Sequence, residues 1–359
     1  MKRRFVYTKR LQLALIKAGY YFSLKLTTSQ QAWGWGYNVH GELGNNSTVS
    51  KSTPVTVCGN HVFRQIAAGW FYGLATDNSN LAWGWGFNYK GQLGDNTVTA
   101  RSTPVAVCGN HTFCQIGAGY RLSMGIDNNG QAWGWGYNVV GGLGDNSVIS
   151  KRTPIAVCGH HTFCQIFTGR HYTLALDKNG QTWAWGYNAY GKLGDNTTTN
   201  RSTPVAVCGN HTFCQIGAFD DHSLGIDSAG KVWAWGLAQF GQLGDNSILS
   251  KKTPVAVCGN HTFCKIAVGI SYTMGIDNNS QVWAWGLNDS GQLGDNSVVS
   301  KSTPVAVCGG HTFCQISLGY QHSLGLDTNG LIWSWGNSAY GQLGNSSTVA
   351  KSTPVAVYV

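Results

Sequence analysis

The sequence predicts an all-β protein: a seven-bladed β-propeller with four antiparallel strands per blade. Three observations predict it. The chain of 359 residues repeats itself every 50 residues. The pairs Trp33/Trp35, Trp83/Trp85, Trp133/Trp135, Trp183/Trp185, Trp233/Trp235, Trp283/Trp285 and Trp333/Trp335 recur without an insertion, and all seven prolines, Pro54 through Pro354, keep the same interval. Each copy breaks into short strand-like runs separated by Gly, Asn and Pro, and a strand-rich period of about 40–50 residues marks one propeller blade per copy. The copies begin near residues 12, 62, 112, 162, 212, 262 and 312, so residues 1–359 read as one domain.

One copy supplies four strands. Strand A is expected near Phe113–Gly119 and strand B near Leu122–Asp127. The turn "DNNG" between B and C is rich in residues that tolerate left-handed backbone. Strand C is expected near Gln131–Gly136 and strand D near Thr153–Val157. Proline cannot donate to a ladder, so Pro154 makes D the outer edge strand.

"WGWG" suggests how blades stack. Side chains alternate across a strand, so both tryptophans of a pair share one face. The residue between them is Gly, Gly, Gly, Ala, Ala, Ala and Ser through the seven copies, always small. Large rings of one blade are then expected to lie against the next. A buried Trp removes about 150–250 Å² from water, roughly 4–6 kcal/mol as an upper bound. All fourteen rings are expected to serve as structural residues.

"WGWGYNVVGGLGDNSVISKRTPIAV" and the later "QIFTGRHYTLALDKNGQ" resemble the repeat of the regulator of chromosome condensation family. The resemblance covers nearly the whole chain. It implies a seven-bladed propeller. For function it implies less, because one fold hosts many activities: such propellers serve as exchange factors, light sensors, ligase modules and inhibitors. The uninterrupted period leaves no room for an inserted wedge against a GTPase, and Trp70 alone is too little for a light sensor.

The ends overlap in phase. Residues 1–9 and 351–359 occupy the same part of the repeat, and "STPVAVYV" (Ser352–Val359) keeps the full strand D pattern. The C-terminus is therefore expected to complete the last blade. Phe5–Tyr7 would be an extra edge strand or clamp at the seam, within a basic segment 1–11. Residues 1–25 hold seven cations and no acid out of a net +9, leaving +2 for the rest. That argues against a nucleic-acid surface spread over the whole chain. It leaves a basic terminus suited to an anionic surface or simply solvated. The opening residues superficially resemble a signal peptide, but Lys17 interrupts the apolar run. No run of about 18 apolar residues suggests a membrane-spanning helix.

Functional residues are sought where the copies differ. Strands alternate in direction, so A–B and C–D loops emerge on one face and B–C turns and D–A connections on the other. The D–A connection, "CGNHTFC", scarcely changes. The A–B loops change every time: Tyr20-Tyr21-Phe22, Trp70-Phe71-Tyr72, Tyr120-Arg121-Leu122, Arg170-His171-Tyr172, Asp220-Asp221-His222, Ile270-Ser271-Tyr272 and Tyr320-Gln321-His322. The C–D loops add His40, Tyr89, Tyr190, Phe240 and Tyr340. Positions solving one packing problem should stay alike, whereas these gather the residue types enriched at binding surfaces. The expected function is a non-catalytic scaffold binding a macromolecule, foremost a protein, through this face. A virion or cell-surface protein binding glycan or a receptor is the alternative, and an exchange-factor-like regulator a second. The competing structural reading is that the aromatics plug the central channel and rim.

No nucleophile elbow, phosphate loop or zinc-protease helix is present. "FDDHS" (Phe219–Ser223) sets two carboxylates beside His222, a composition fit for acid–base or metal work. His322 before Ser323 argues for a structural role instead. Lys51, Arg101, Lys151, Arg201, Lys251, Lys301 and Lys351 recur before strand D, with Asp95, Asp145, Asp195, Asp245 and Asp295 six residues earlier, so solvated and compensated charge is expected. No cofactor and no metal is called for. Cys108, His111 and Cys114 typify a Cys-x2-His-x2-Cys pattern, but structural zinc takes four ligands, and His61 persists where Arg64 has replaced the second cysteine. His111 is expected to be a turn or hydrogen-bonding residue.

The cysteine pairs are either disulfides or reduced, mostly buried thiols. The D–A connection must cross about 14 Å of sheet, whereas bridged Cα atoms lie about 4.4–6.8 Å apart, so thiols are favoured. Reduced thiols favour the cytoplasm. Bridges would favour an oxidising compartment, where the low charge and near-identical copies resemble virion and cell-surface repeat proteins. Intact-mass measurement with and without reductant is expected to show no gain on reduction; a gain matching five bridges would reverse the assignment.

Overall fold

The computed structural model describes residues 15–358, and the expected clamp Phe5–Tyr7 and basic segment 1–11 lie outside them. The described residues form seven four-stranded antiparallel sheets, each made from one contiguous stretch of chain. This is the seven-bladed propeller. In blade 3 the strands are A Phe113–Ala118, B Leu122–Asp127, C Ala132–Gly136 and D Lys151–Ala156. Strand D starts earlier than its proline suggests, yet it stays on the outer edge of the sheet, where Pro154 lacks no ladder partner. Blade 7 is completed by Lys351–Ala356, which pairs with its strand C through Trp333↔Ala356 and Ser334↔Val355.

Local chemistry sets each connection. In the B–C turn of blade 3, Asp127 Oδ1 accepts from Asn129 N at 2.9 Å and Gln131 N at 3.0 Å. Its other oxygen accepts from Trp133 Nε1 at 3.2 Å, which ties the turn to strand C. The C–D loop is knotted by Asn138. Its carbonyl accepts from Leu143 N at 2.9 Å and its amide donates to Asp145 and to the Ser147 carbonyl. Two glycines of this loop meet the next blade. Gly141 has φ 79° and a Cβ there would fall 2.7 Å from Ser202 Cα; Gly144 has φ 73° and its Cβ would fall 2.7 Å from Trp185 Nε1. The GxLG signature is thus an interface motif.

The core lies between blades. One cluster joins Tyr72, Leu74, Ala82 and Leu93 of blade 2 to Phe113, Ile116, Ala118 and Trp135 of blade 3. The two tryptophans of a pair differ, which corrects the expectation of fourteen equivalent buried rings. The second of each pair (Trp35, Trp85, Trp135, Trp185, Trp235, Trp285 and Trp335) is fully buried. The first (Trp33, Trp83, Trp133, Trp183, Trp233, Trp283 and Trp333) is only half-buried. The first ring sits nearer the D–A connection, and from blade 2 onward a histidine covers it: His111 lies 4.0 Å from Trp133, centroid to centroid. The histidine of this connection thus packs its ring, tilted by 39°, against the indole. The small residue between the rings faces the other way; a Cβ on Gly134 would lie 2.9 Å from Met124 Sδ.

The boundaries share a set of bonds. Trp135 Nε1 donates to the Gln92 carbonyl of the preceding blade at 2.9 Å, and Asn96 N of that loop donates to the Arg152 carbonyl at 3.1 Å. In the same way Trp85 Nε1 donates to the Glu42 carbonyl at 2.9 Å, Trp235 Nε1 to the Lys192 carbonyl at 2.9 Å and Trp285 Nε1 to the Gln242 carbonyl at 3.0 Å. The closing seam between blades 7 and 1 uses the equivalent contacts, Trp35 Nε1 to the Gln342 carbonyl at 2.9 Å and Ser346 N to the Ser52 carbonyl at 3.1 Å. The cysteines are free, and the second of each pair is more open than expected. Cys114, Cys164, Cys214 and Cys264 are exposed, which corrects the expectation of mostly buried thiols. Truncating a fully buried ring leaves a cavity, so Trp135→Ala is expected to lower unfolding free energy by about 3–5 kcal/mol. Trp133→Ala should cost clearly less, as read from paired denaturant titrations.

Candidate functional site

The three positions of each A–B loop have three different fates. The first points to the propeller axis. Tyr20, Trp70, Tyr120, Arg170, Asp220, Ile270 and Tyr320 form a plug there. Tyr20 and Tyr320 stack at 4.5 Å, Tyr20 and Trp70 lie 4.6 Å apart, and Trp70 and Tyr120 4.2 Å apart. Backbone bonds link the loops, with Tyr320 N donating to the Tyr20 carbonyl at 3.2 Å and Tyr20 N to the Trp70 carbonyl at 3.0 Å. Trp70 packs in one cluster with Phe219 and Ile270 from blades across the axis and is only 8% exposed. The plug reading is the correct one for these residues.

The third position is buried completely. Tyr72, Tyr172, His222, Tyr272 and His322 are 0% exposed and do not belong to the outer face where they were expected. They bridge blades. Tyr72 Oη donates to the Leu122 carbonyl at 2.6 Å and Tyr172 Oη to the His222 carbonyl at 2.7 Å. Tyr272 Oη donates to the His322 carbonyl at 2.6 Å. His222 Nε2 meets Thr273 Oγ1 at 2.8 Å, and His322 Nε2 meets Ser23 Oγ at 3.1 Å across the closing seam. Phenol, imidazole or plain hydrocarbon (Phe22, Leu122) fills one slot, so the position varies without being a surface. The strand C indoles Trp85, Trp235 and Trp285, equally sealed, hold the blades together and offer a partner nothing.

The second position of five blades (Tyr21, Phe71, Arg121, His171 and Gln321), with the C–D loops, forms the accessible face, whereas Asp221 and Ser271 are buried. The face has two unlike sectors. In the aromatic sector Tyr340 lies 4.9 Å from Tyr21 and 5.0 Å from Tyr37; Tyr37 leads on to Phe71 at 6.0 Å, and His40 to Phe87 at 4.9 Å and from there to Tyr89 at 4.5 Å. Arg121 extends it, its guanidinium 4.6 Å from the Tyr120 ring and 5.7 Å from Phe87. Tyr89 is 59% exposed and Tyr340 40%. Tyr190 (42% exposed) and half-buried Phe240 stand apart from this network. The outer ends of the C–D loops also expose aliphatic residues, among them Val49, Ile149, Leu249, Val299 and Val349.

The charged sector lies between blades 4 and 5. Lys192 is fully buried, and its ammonium pairs with Asp221. Arg170 Nη1 stands 3.6 Å from the same carboxylate. Lys192 Nζ also lies 4.4 Å over the Tyr187 ring. Burial lowers the Lys192 pKa, against the pull of Asp221. Burial and then Asp221 push Asp220 up to about 7. Burial, then Lys192, Arg170 and Arg121, push His171 down to about 3. "FDDHS" does not converge into one catalytic group: His222 turns into the blade 5–6 boundary while Asp221 turns to Lys192. Among the described residues no cluster of His, Cys, Asp and Glu is fit for a metal. Five of the seven cations before strand D pair with the aspartate six residues earlier, as Arg101 with Asp95 at 3.1 Å and Arg201 with Asp195 at 2.9 Å; Lys51 and Lys351 follow Asn45 and Asn345 instead.

Reading the A–B loops and a few C–D loop positions missed Tyr37, Phe87 and Lys192. A signal was present. Lys192 is the one lysine in a column otherwise Glu, Gln or Gly, and Tyr37 and Phe87 follow "WGWG" directly.

Models of the regulator of chromosome condensation (RCC1) repeat match residues 30–76, 79–126, 129–176, 179–226, 229–276, 279–326 and 329–358. The chain belongs to the regulator of chromosome condensation repeat family. Each RCC1 repeat begins at the B–C turn or strand C of one blade, and the first six run into strands A and B of the next, so the repeat unit spans a blade boundary. A second RCC1 model matches residues 263–292 and 313–342. Among solved structures, human WBSCR16 is 18% identical with a TM-score of 0.82, covering 92% of this chain and 94% of its own. Yeast RCC1 (Prp20) from a complex with Kap60 is 20% identical with a TM-score of 0.83, covering 100% and 89%. Prp20p from Saccharomyces cerevisiae, described with its binding properties to Gsp1p and histones, is 20% identical with a TM-score of 0.77, covering 86% and 81%. At such identities these likenesses show the RCC1 fold alone. No curated protein sequence matches the chain.

The bridging histidines give the RCC1-repeat ring a pH dependence. Burial pushes His222 and His322 down to about 3, whereas an unfolded histidine titrates near 6.5. Below about 6.5 the unfolded state binds more protons, so their contribution is present above that pH and lost toward about 3. Asp220 opposes this, its raised pKa removing stability as pH rises from about 4 to about 7. Replacing both histidines by the tyrosine that blades 2, 4 and 6 carry (His222→Tyr, His322→Tyr) is expected to flatten the fall in urea midpoint between pH 7 and about 4.5.

Proposed function

We propose that this chain is a non-catalytic scaffold that binds a protein partner on the A–B/C–D face, with the aromatic sector from Tyr340 to Tyr89 as the contact. The single observation behind this reading is that network of packed rings, most of them half-open to solvent, which runs through the three blades around the closing seam. Rings held against one another lose little freedom on binding and present large area, as binding surfaces require. The aliphatic tips of the C–D loops add apolar area on the same side. Membership of a family whose relatives bind proteins supports the reading; the yeast relative is described with Gsp1p, histones and Kap60.

The charged sector then serves orientation rather than chemistry. Its buried Lys192–Asp221 pair is too enclosed to act on a substrate, while exposed Arg170 can steer an acidic patch of a partner. A glycan reading loses its chief stacking residue, because Trp70 lies inside the plug. Tyr89→Ser with Tyr340→Ser should leave the fold intact, both rings being exposed. A partner captured from host lysate and then purified should lose affinity about thirtyfold or more toward this double variant, a loss of roughly 2 kcal/mol. It should bind a Tyr190→Ser control as it binds the wild type. Equal affinity for all three proteins would sink the assignment, and signal on a glycan array that the double variant abolishes would replace it.

A further inference from the structure

Behind the plug the inner strands of all seven blades enclose a channel of about 520 Å³. It is walled by two layers of strand A side chains. One layer is mostly glutamine, and several of these amides bridge neighbouring strands. Gln115, for example, donates to the Ile166 carbonyl at 3.0 Å and accepts from Ile166 N at 3.1 Å. The other layer is small in five blades: Ala67, Gly117, Gly217, Ala267 and Ser317. The two exceptions are Lys17 in blade 1 and Phe167 in blade 4, three blades away around the ring. Both side chains enter the space their small counterparts leave open.

Donors collect on the Lys17 side. Its ammonium has no partner among the described residues, and burial lowers its pKa. Ser317 Oγ, on the neighbouring blade, accepts from Ala18 N at 2.9 Å, so the hydroxyl proton is left to point elsewhere. Gln315 Oε1 accepts from Ile16 N at 3.2 Å, and unlike Gln115 its amide nitrogen makes no second bond among the described residues. Lys265 adds a second cation to the wall, its ammonium resting on the Cys314 carbonyl. No described carboxylate lines the channel. An enclosed ammonium without a counter-charge is unfavourable, and an anion beside it removes that penalty.

We propose that this channel is a binding site for a small organic anion, its oxyanion head held by Lys17, Ser317 and Gln315 and its compact apolar body against Phe167. The space suffices: about 150 Å³ holds a benzene ring. The site is separated from the docking face by the plug, so either can be wrong without the other.

The test is calorimetric titration of the full chain with phenyl phosphate and, separately, inorganic phosphate. Lys17→Ala and Phe167→Ala place at each position a residue that blades 2 and 6 already carry there, so both variants should fold. Phenyl phosphate is expected to bind one per chain and to lose about tenfold or more on Lys17→Ala, the worth of a charged hydrogen bond. Phe167→Ala should weaken phenyl phosphate and leave inorganic phosphate as it was. Absence of binding to the wild type, or undiminished binding to Lys17→Ala, overturns the site. Undiminished binding of phenyl phosphate to Phe167→Ala overturns its apolar half.

Discussion

The structure depends on one contact made between neighbours: a fully buried indole of strand C, packed on the previous blade and bonded to a carbonyl of that blade's C–D loop. Six of the seven rings make the bond; Trp185, opposite Gly142, does not. A blade alone leaves this ring uncovered and its loop unanchored. Neither satisfies its partner until the next blade arrives, so stability belongs to the interfaces rather than to the sheets, as in other repeat arrays. The glycines of GxLG, the Asn knot of the C–D loop and the bridging phenols all serve the same boundary.

Most of the fold was legible because the chain compares itself with itself. Strand number, strand order and the outer place of D followed from period, turn residues and Pro154. Burial depth was not legible. Trp133 and Trp135 share a face and a residue type, yet only the second lies where the preceding blade closes over it; an alternation pattern carries no information about how far along the strand the cover extends. The A–B loops misled for a related reason. Divergence between copies was read as exposure, but Tyr72, His222 and Leu122 diverge inside a sealed slot. A phenol, an imidazole and an isobutyl group fill that slot equally well when each blade is free to choose its own partner. Lys192 was visible as the lone lysine of its column and Lys17, with Phe167, as one of two large residues in another, and what each departure does became apparent only when three dimensions set its neighbours.

The accessible face is therefore narrower than its sequence suggests and more polarised. Hydrocarbon and phenol gather around the closing seam, and buried charge gathers between blades 4 and 5. A ring with near-sevenfold symmetry in its frame thus carries no symmetry in what it offers a partner. The frame restricts where variation is tolerated: strand A's channel-facing layer, the loop tips and the axial plug accept different residues, while the boundary residues accept only substitutes of like volume.

Each sheet is drawn from one unbroken stretch of chain, and the seam between the last and first sheets repeats the contacts of the other boundaries. The described polypeptide is thus an open string of seven beads whose circle is fastened by non-covalent forces alone. Topologically the position of the cut is arbitrary: severing any D–A connection and joining the present ends would describe the same object.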